Sequence, residues 1–349
     1  MGLRGSPSVA PDSVTHYQLD MDSDARAAID GIRAGLDVIG DGRADVTLDA
    51  ATEATLEPFS SMFQLERIKS PYGFAHLLLL LYAPFGVVLL LLRGLTAFAI
   101  ALTLPRCLSE QQLDRIGLHR FVAWLTGTIL VLEDAHLLDR TNPPDVFCAN
   151  HISEFDAVAV RALMPLYVLG YDFYKKMLFF RLLGDKFGLV YVPYASRNQG
   201  GAAGRDQVRE IIVEKLEKKD KPLVFFPEGG LTNGRKGLLQ YHKFLFSLGK
   251  SIQPLAIQAS DGPFPVNIND ETSTFLANVL WYLFAPYHVY RIKFLPVTRA
   301  APDEDALAFA QRVMKDTARA LHQDATPFLY RDKIAYTRYK TRHIHKKKK

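Results

Sequence analysis

The run Cys148-Ala149-Asn150-His151-Ile152-Ser153-Glu154-Phe155-Asp156 decides how this chain is read. It joins a short apolar, β-like segment to a helix-like one, and it sets a histidine and a carboxylate five residues apart. Histidine is the side chain best suited to take a proton from a hydroxyl near neutral pH. A neighbouring carboxylate fixes its tautomer and stabilises its charged form. On a continuous helix five residues turn through about 140°, so the two side chains would face apart. They meet only if His151 stands in a loop and Asp156 in the first turn of the helix that follows. Ser153-Glu154-Phe155-Asp156 reads as an N-cap box, and an apolar helical run follows over 157–163. The alternative is that Asp156 only caps that helix and His151 is an ordinary loop residue.

Outward from this run, short β-rich segments alternate with helical ones. Strands are expected at 129–133, 146–149, 166–169, 189–192, 223–226, 252–257 and 289–294. Helices are expected at 157–163, 173–183, 205–218, 274–284 and 303–323, with an amphipathic helix over 109–126. Such alternation predicts an α/β fold: a mostly parallel sheet flanked by helices. Ligands in open sheets of this kind bind at the carboxyl ends of strands. A second run, Phe226-Pro227-Glu228-Gly229-Gly230-Leu231-Thr232-Asn233-Gly234-Arg235, also follows an expected strand. Glycines there let the backbone approach a phosphate, and Asn233 and Arg235 offer donors.

Taken together, the two runs resemble the signatures of the glycerolipid acyltransferase family, Asn-His-x4-Asp and Phe-Pro-Glu-Gly. The resemblance covers residues 77–321. Thr232-Asn233-Gly234-Arg235 and Ser251-Ile252-Gln253-Pro254-Leu255 resemble the lysophospholipid acyltransferase branch. Leu80-Leu81-Tyr82-Ala83-Pro84-Phe85-Gly86, Leu280-Trp281-Tyr282-Leu283-Phe284-Ala285-Pro286 and the end near Thr326-Pro327 resemble ancient ubiquitous protein-like members of the superfamily. The C-terminal ubiquitin-related module of those members is not expected here.

The resemblance implies a glycerol-phosphate acyltransferase-like fold. It implies transfer of a fatty acyl group from coenzyme A, as substrate and not as resident cofactor, to a lysophospholipid or related glycerolipid hydroxyl. His151 is then the general base and Asp156 its orienting partner. Glu228, Gly229, Gly230, Asn233 and Arg235 fall to substrate binding. In the family a threonine or serine follows the Glu-Gly pair, where this chain has Gly230. The family's middle motif places an arginine for the glycerol phosphate after a glycine and a short strand. Here the run is Gly188-Leu189-Val190-Tyr191-Val192-Pro193-Tyr194, with tyrosine at the arginine position. Either Arg197, three residues on, substitutes for it, or the contact is lost. A second reading follows: an acyltransferase-fold scaffold of weak or no activity, at the endoplasmic reticulum or lipid droplets. Placement at those membranes, with the domain facing the cytosol, is what the resemblance implies for location.

Composition narrows the rest. Cys107 and Cys148 are the only cysteines, too few for a disulfide framework or a cysteine-rich zinc site, and no third metal ligand stands at suggestive spacing. Residues 1–60 hold eleven acids and four basic residues, so the remaining chain carries +12 of the net +5. No nucleic-acid motif accompanies that basic remainder, which points to an anionic membrane surface. Residues 1–60 are therefore expected as an acidic, disordered tail with a weak helical pattern over 25–38. Met1-Gly2-Leu3-Arg4-Gly5-Ser6 matches the myristoylation pattern, and no signal peptide is expected. Residues 74–104 are apolar enough to cross a bilayer, but Pro84, Gly86 and Arg93 interrupt them. A bent helix or re-entrant hairpin entering from one face, with Arg93 snorkelling, is the expectation, and a single span is the alternative. The acyltransferase domain is then expected over 108–325. Residues 326–349 form a basic tail, suited to anionic lipid, whose last four lysines resemble an endoplasmic-reticulum retrieval signal.

Overall fold

A computed structural model describes residues 23–40, 48–69, 71–193 and 201–347. The myristoylation pattern lies outside the described residues, as do Tyr194 and Arg197.

The core is a seven-stranded sheet in the order β1-β8-β7-β2-β5-β3-β4. Its strands are β1 (Thr128–Glu133), β2 (Val146–Ala149), β3 (Tyr167–Tyr171), β4 (Leu189–Val192), β5 (Leu223–Phe225), β7 (Ile252–Ser260) and β8 (His288–Phe294). All neighbours pair in parallel except β7 and β8. A two-stranded ladder joins β6 (Gly237–Leu238) to β9 (Asp324–Ala325). The α/β expectation holds, and every expected strand is present within a few residues.

Central strand β2 shows why this sheet is legible. All four of its residues are fully buried. Val146 and Cys148 face a layer built on α8 (Gly201–Glu217) and α10 (Ala306–Leu321), with Ile212, Leu216, Phe309 and Val313. Phe147 and Ala149 face the other way, onto Ala159, Val160 and Leu163 around α6 (Asp156–Arg161). A strand buried on both faces reads as a continuous apolar run, as parallel strands do.

Helices depart from expectation where glycine or packing intervenes. The amphipathic helix expected over 109–126 is two, α4 (Glu110–Arg115) and α5 (Leu118–Leu125). Gly117 parts them in the left-handed region at φ 74°. The helix expected over 173–183 is a 3-10 turn, Asp172–Lys176, and then α7 (Leu178–Leu183).

Of the helix or hairpin expected before the domain, the structure has one continuous helix, α3 (Phe74–Cys107), of 34 residues. Arg93 does not snorkel. Its guanidinium donates to the carbonyls of Leu283, Ala285 and Pro286, at 3.0, 2.5 and 2.9 Å. Those carbonyls close the C-terminus of α9 (Phe275–Phe284), where a cation satisfies both orphan acceptors and helix dipole. The Tyr82 hydroxyl donates to the Phe284 carbonyl at 2.8 Å, and Gly86 lets the Phe284 ring approach the α3 backbone.

Both termini also differ from expectation. Within the segment expected to be a disordered tail, the described residues hold α1 (Ser23–Ile39) and α2 (Ala50–Ser60), and residues 1–22 and 41–47 lie outside the described residues. The basic tail forms α11 (Tyr330–Lys347). These helices share one apolar cluster: Ile32, Leu36 and Ile39 from α1, Leu56 and Phe59 from α2, Tyr336 and Tyr339 from α11. Phe59 stacks edge-on against Phe328, with ring centroids 4.8 Å apart.

Candidate active site

His151 stands two residues beyond β2 and Asp156 opens α6, so the two lie at the carboxyl end of the sheet. The expected break between loop and helix is present, although no cap box forms. Phe155 occupies the N-cap position without a side-chain bond. The Asp156 carboxylate turns back into the loop, where Oδ2 accepts from Ile152 N at 2.7 Å and Ser153 N at 2.9 Å. The same oxygen meets His151 Nδ1 at 2.9 Å. Asp156 is fully buried, whereas the His151 side chain is 23% exposed. Burial pushes the Asp156 carboxyl up, and the bonds from His151, Ser153 and Ile152 oppose that rise. With Nδ1 held, Nε2 is the ring nitrogen that can exchange a proton with a ligand.

Asn150 locks the loop to the sheet. Its amide nitrogen donates to the Ile257 carbonyl at 2.9 Å, and its oxygen accepts from Ile257 N at 2.7 Å. The Phe226 ring stacks on the imidazole at 4.3 Å and limits its tilt.

Glu228 has a different place from the one the sequence suggests. Its carboxylate is buried and engaged at both oxygens, by His151 N at 2.7 Å and Leu239 N at 2.8 Å. It ties the second motif to the first, and burial pushes its carboxyl up to about 8. Thr232 N donates to the His151 carbonyl at 2.8 Å, a second tie between the loops. Gly229 takes a positive φ of 69°. A side chain at Gly230 would collide with the Tyr330 ring on α11, so the hydroxyl-bearing residue of the family pattern has no room here.

Asn233, expected to bind substrate, is instead bonded to backbone. Its N–H donates to the Met62 carbonyl at 2.7 Å and its side chain to the Ser61 carbonyl at 2.6 Å, just past α2. Arg235 is exposed. Lys69 lies close enough that Arg235 helps to hold its ammonium below the usual range, after burial as the larger cause. This basic pair was not visible in sequence, since 165 residues separate its members, although Arg235 was. The loop between them and the dyad is tight: at Gly234, φ 66°, a Cβ would crowd Ile152.

Two further side chains reach the site unannounced. Lys333 on α11 donates to the Leu231 carbonyl at 2.6 Å and pairs with Glu271 at 2.6 Å. Asn278 on α9 donates to Glu154 at 2.9 Å. A stack of Phe155, Tyr282 and His288, with centroids 3.8 and 3.9 Å apart, joins the His151 loop to α9 and the sheet.

Residues 132–258 match the acyltransferase family model, spanning both motifs. The lipid droplet-regulating VLDL assembly factor AUP1 of Danio rerio is 29% identical over 281 residues, covering 80% of this chain and 62% of that protein. The factor of the same name from Mus musculus is 33% identical over 135 residues, 37% of this chain and 32% of that one. Glycerol-3-phosphate acyltransferase 4 of Pongo abelii is 25% identical over 191 residues, 52% of this chain and 40% of that protein. Among solved structures, the 1-acyl-sn-glycerophosphate (LPA) acyltransferase PlsC of Thermotoga maritima aligns with a TM-score of 0.48 and 14% identity, over 69% of this chain and 97% of that chain. The chain thus spans less than two thirds of the length of these curated relatives.

Proposed function

For this chain, which belongs to the glycerolipid acyltransferase superfamily, we propose transfer of an acyl group from acyl-CoA to the hydroxyl of a lysophospholipid or related glycerolipid. One observation carries the reading: His151 Nδ1 is held at 2.9 Å by a fully buried Asp156, while the ring itself reaches solvent. In this reaction Nε2 takes the acceptor's hydroxyl proton as the oxygen attacks the thioester carbonyl carbon. The tetrahedral oxyanion then collapses, the carbon–sulfur bond breaks, and the departing thiolate receives the proton from His151. An ester and free coenzyme A leave, and the imidazole is neutral again. Arg235 and Lys69 supply positive charge for a phosphate on the acceptor.

The membrane is met by α3, lying flat. Just before its start Lys69 N donates to the Pro265 carbonyl at 2.9 Å. At its end Lys186 donates to the carbonyls of Pro105 and Leu108, at 2.6 and 2.8 Å. Arg93 bonds the same domain midway. A helix of 34 residues is about 51 Å long, more than a hydrocarbon core of about 30 Å. These bonds support a reading in which both of its ends stay on one side of the membrane. Its outer face, with Leu80, Leu81, Phe85, Leu92 and Leu95 exposed, suits insertion into one leaflet. Trp124 and Ile116, from the helices that follow, are exposed as well. The surface we assign is the cytosolic leaflet of the endoplasmic reticulum or a lipid droplet.

A second reading has its own support. The terminal helices occupy the space beside Gly230 and Asn233, and the relatives include lipid droplet-regulating factors. A scaffold without turnover would show those features too. Labelled acyl-CoA and a panel of lyso-lipids, given to microsomes carrying the protein, separate the two. Acyl transfer is expected, and His151→Ala should lower it by about 10²–10⁴-fold while the folded protein stays membrane-bound. Full activity in that variant would remove His151 from the mechanism, and no transfer by the unaltered protein would favour the scaffold.

A further inference from the structure

The segment that follows β5 holds His151 from three sides. Phe226 stacks on its ring, with centroids 4.3 Å apart. The Glu228 carboxylate accepts from its N–H at 2.7 Å, and Thr232 N donates to its carbonyl at 2.8 Å. His151 stands beyond the last paired residue of β2, so this bracket takes over where the ladder stops.

The bracket is held in turn by the end of the chain. Beyond it, Gly237–Leu238 pair with Asp324–Ala325, and Gln240 N donates to the Phe328 carbonyl at 2.8 Å. Within it, two side chains of α11 make contact. The Tyr330 ring lies against Gly230, where a Cβ would have no room. Lys333 Nζ donates to the Leu231 carbonyl at 2.6 Å, between the two residues whose bonds enclose the His151 backbone.

Lys333 is 6% exposed, and lysine is almost never so buried unless paired. Its charge is answered by Glu271 at 2.6 Å, and Glu271 is itself tied down, its N–H donating to the Gln64 carbonyl at 3.0 Å. A buried ion pair of this kind adds little stability over apolar side chains of the same size. What an apolar residue could not supply is the donor to Leu231. The stretch just past the bracket is secured by other means. Asn233 is bonded to Met62 and Ser61, and Gln323 donates to the Gly234 carbonyl, so Arg235 does not depend on Lys333 for its place.

Resting on the acyl-transfer reading, we infer that Lys333 is a positioning residue for His151. Through Leu231 it sets the bracket that fixes the His151 backbone, and with it the distance from Nε2 to the acceptor hydroxyl. Misplacement there by about 1 Å costs on the order of 10²-fold in rate. Loss of Lys333 should therefore slow turnover and spare substrate binding.

The test compares three full chains in detergent: the unaltered protein, Lys333→Met, and Lys333→Met combined with Glu271→Gln. The single variant leaves Glu271 buried without its countercharge, and it should lose stability. The double variant removes that charge as well and should unfold near the temperature of the unaltered protein. Its turnover should nonetheless stay about 10–100-fold low, with KM for acyl-CoA and lyso-lipid changed by no more than about threefold. Hydrogen exchange over 150–153 and 228–233 should quicken by about tenfold in the double variant, as loss of one hydrogen bond would give. Normal turnover in the folded double variant would leave Lys333 only the neutralising of Glu271, and the inference would fall. Unchanged exchange in those two segments overturns it as well, and so does a rise in KM at unchanged turnover. If the unaltered protein transfers no acyl group, the acyl-transfer reading fails by itself. Exchange then still decides whether Lys333 holds the His151 backbone.

Discussion

His119 is walled in by 4% exposure, and neither ring nitrogen has a hydrogen-bond partner among the described residues. Burial, with Arg161, Arg120 and Lys221 adding repulsion against the opposing Asp114, brings its pKa down to about 4. The usual value is about 6.5. Between those values the unfolded chain binds a proton that the folded protein refuses. Stability from this group is therefore complete above pH 6.5 and falls as pH drops toward 4, by at most about 1.4 kcal/mol per pH unit. Urea unfolding at pH 7 and pH 5 should show that loss, and His119→Leu should flatten it. Equal pH slopes in the two proteins would assign the loss to other groups. At this scale the sequence was informative where chemistry is local. His151 and Asp156 are five residues apart, and their meeting needs only a loop and a helix start. Glu228 was legible as a motif residue but not as a clasp, because its partners include Leu239 and the first loop. Lys69 and Lys333 carry no motif at all. They reach the site through folding of segments far from it in the chain.

Helix α3 shows how an element can be recognised and its shape still missed. Its apolar run is plain in the sequence, and so are Pro84, Gly86 and Arg93, which read as interruptions. Gly86 and Arg93 are explained by α9, some 190 residues on. Arg93 closes the C-terminus of α9, and Gly86 admits the Phe284 ring. Nothing local could disclose that partner. The strands were easier, since burial on both faces writes a continuous apolar run into each one. The α3–α9 contact makes two glycines of one helix behave differently. A methyl at Gly86 would collide with Phe284, whereas at Gly94 the nearest atom, Leu283 Cδ1, is 4.0 Å away. Gly86→Ala should destabilise by about 1–3 kcal/mol through overpacking. Gly94→Ala should be neutral or stabilise by about 0.5–1 kcal/mol, because alanine is the better helix former. Thermal unfolding in detergent, with hydrogen exchange across 275–284, reads both. If the two variants ranked the other way, α3 would have to dock by another face. Since α9 also carries Asn278 and Tyr282, loss of this contact should loosen the His151 loop as well.

In the whole molecule, helices α1 and α2 close on α11, from the other end of the described sequence, beside the motif loops. The stripe Ile32, Leu36, Ile39 was visible as a weak helical pattern, but its acidic, glycine-bearing surroundings read as disorder. The apolar surface that orders it comes from Phe328, Tyr336 and Tyr339, at the other end of the sequence. The basic composition of α11 hid the same fact, because its buried face is made of tyrosines and one paired lysine. The sheet, the terminal layer and α3 are thus parts of one body, which on the proposed reading meets the membrane from outside. That has a direct consequence for topology. A single crossing by α3 would require either its start or its end to leave the domain, breaking the bond from Lys69 N to the Pro265 carbonyl or the Lys186 bonds to Pro105 and Leu108. It would also carry Arg93 away from its three carbonyls and toward the bilayer centre, where a bare arginine costs about 2.5–3.5 kcal/mol on insertion scales. Glycosylation acceptor tags placed ahead of Met1 and in the exposed loop at Asn142 lie on either side of α3 in the chain. In microsomes competent for glycosylation both tags should stay unmodified, and both should be open to added protease. Modification of one tag and not the other would mean that α3 spans the bilayer, and the flat helix would have to be given up.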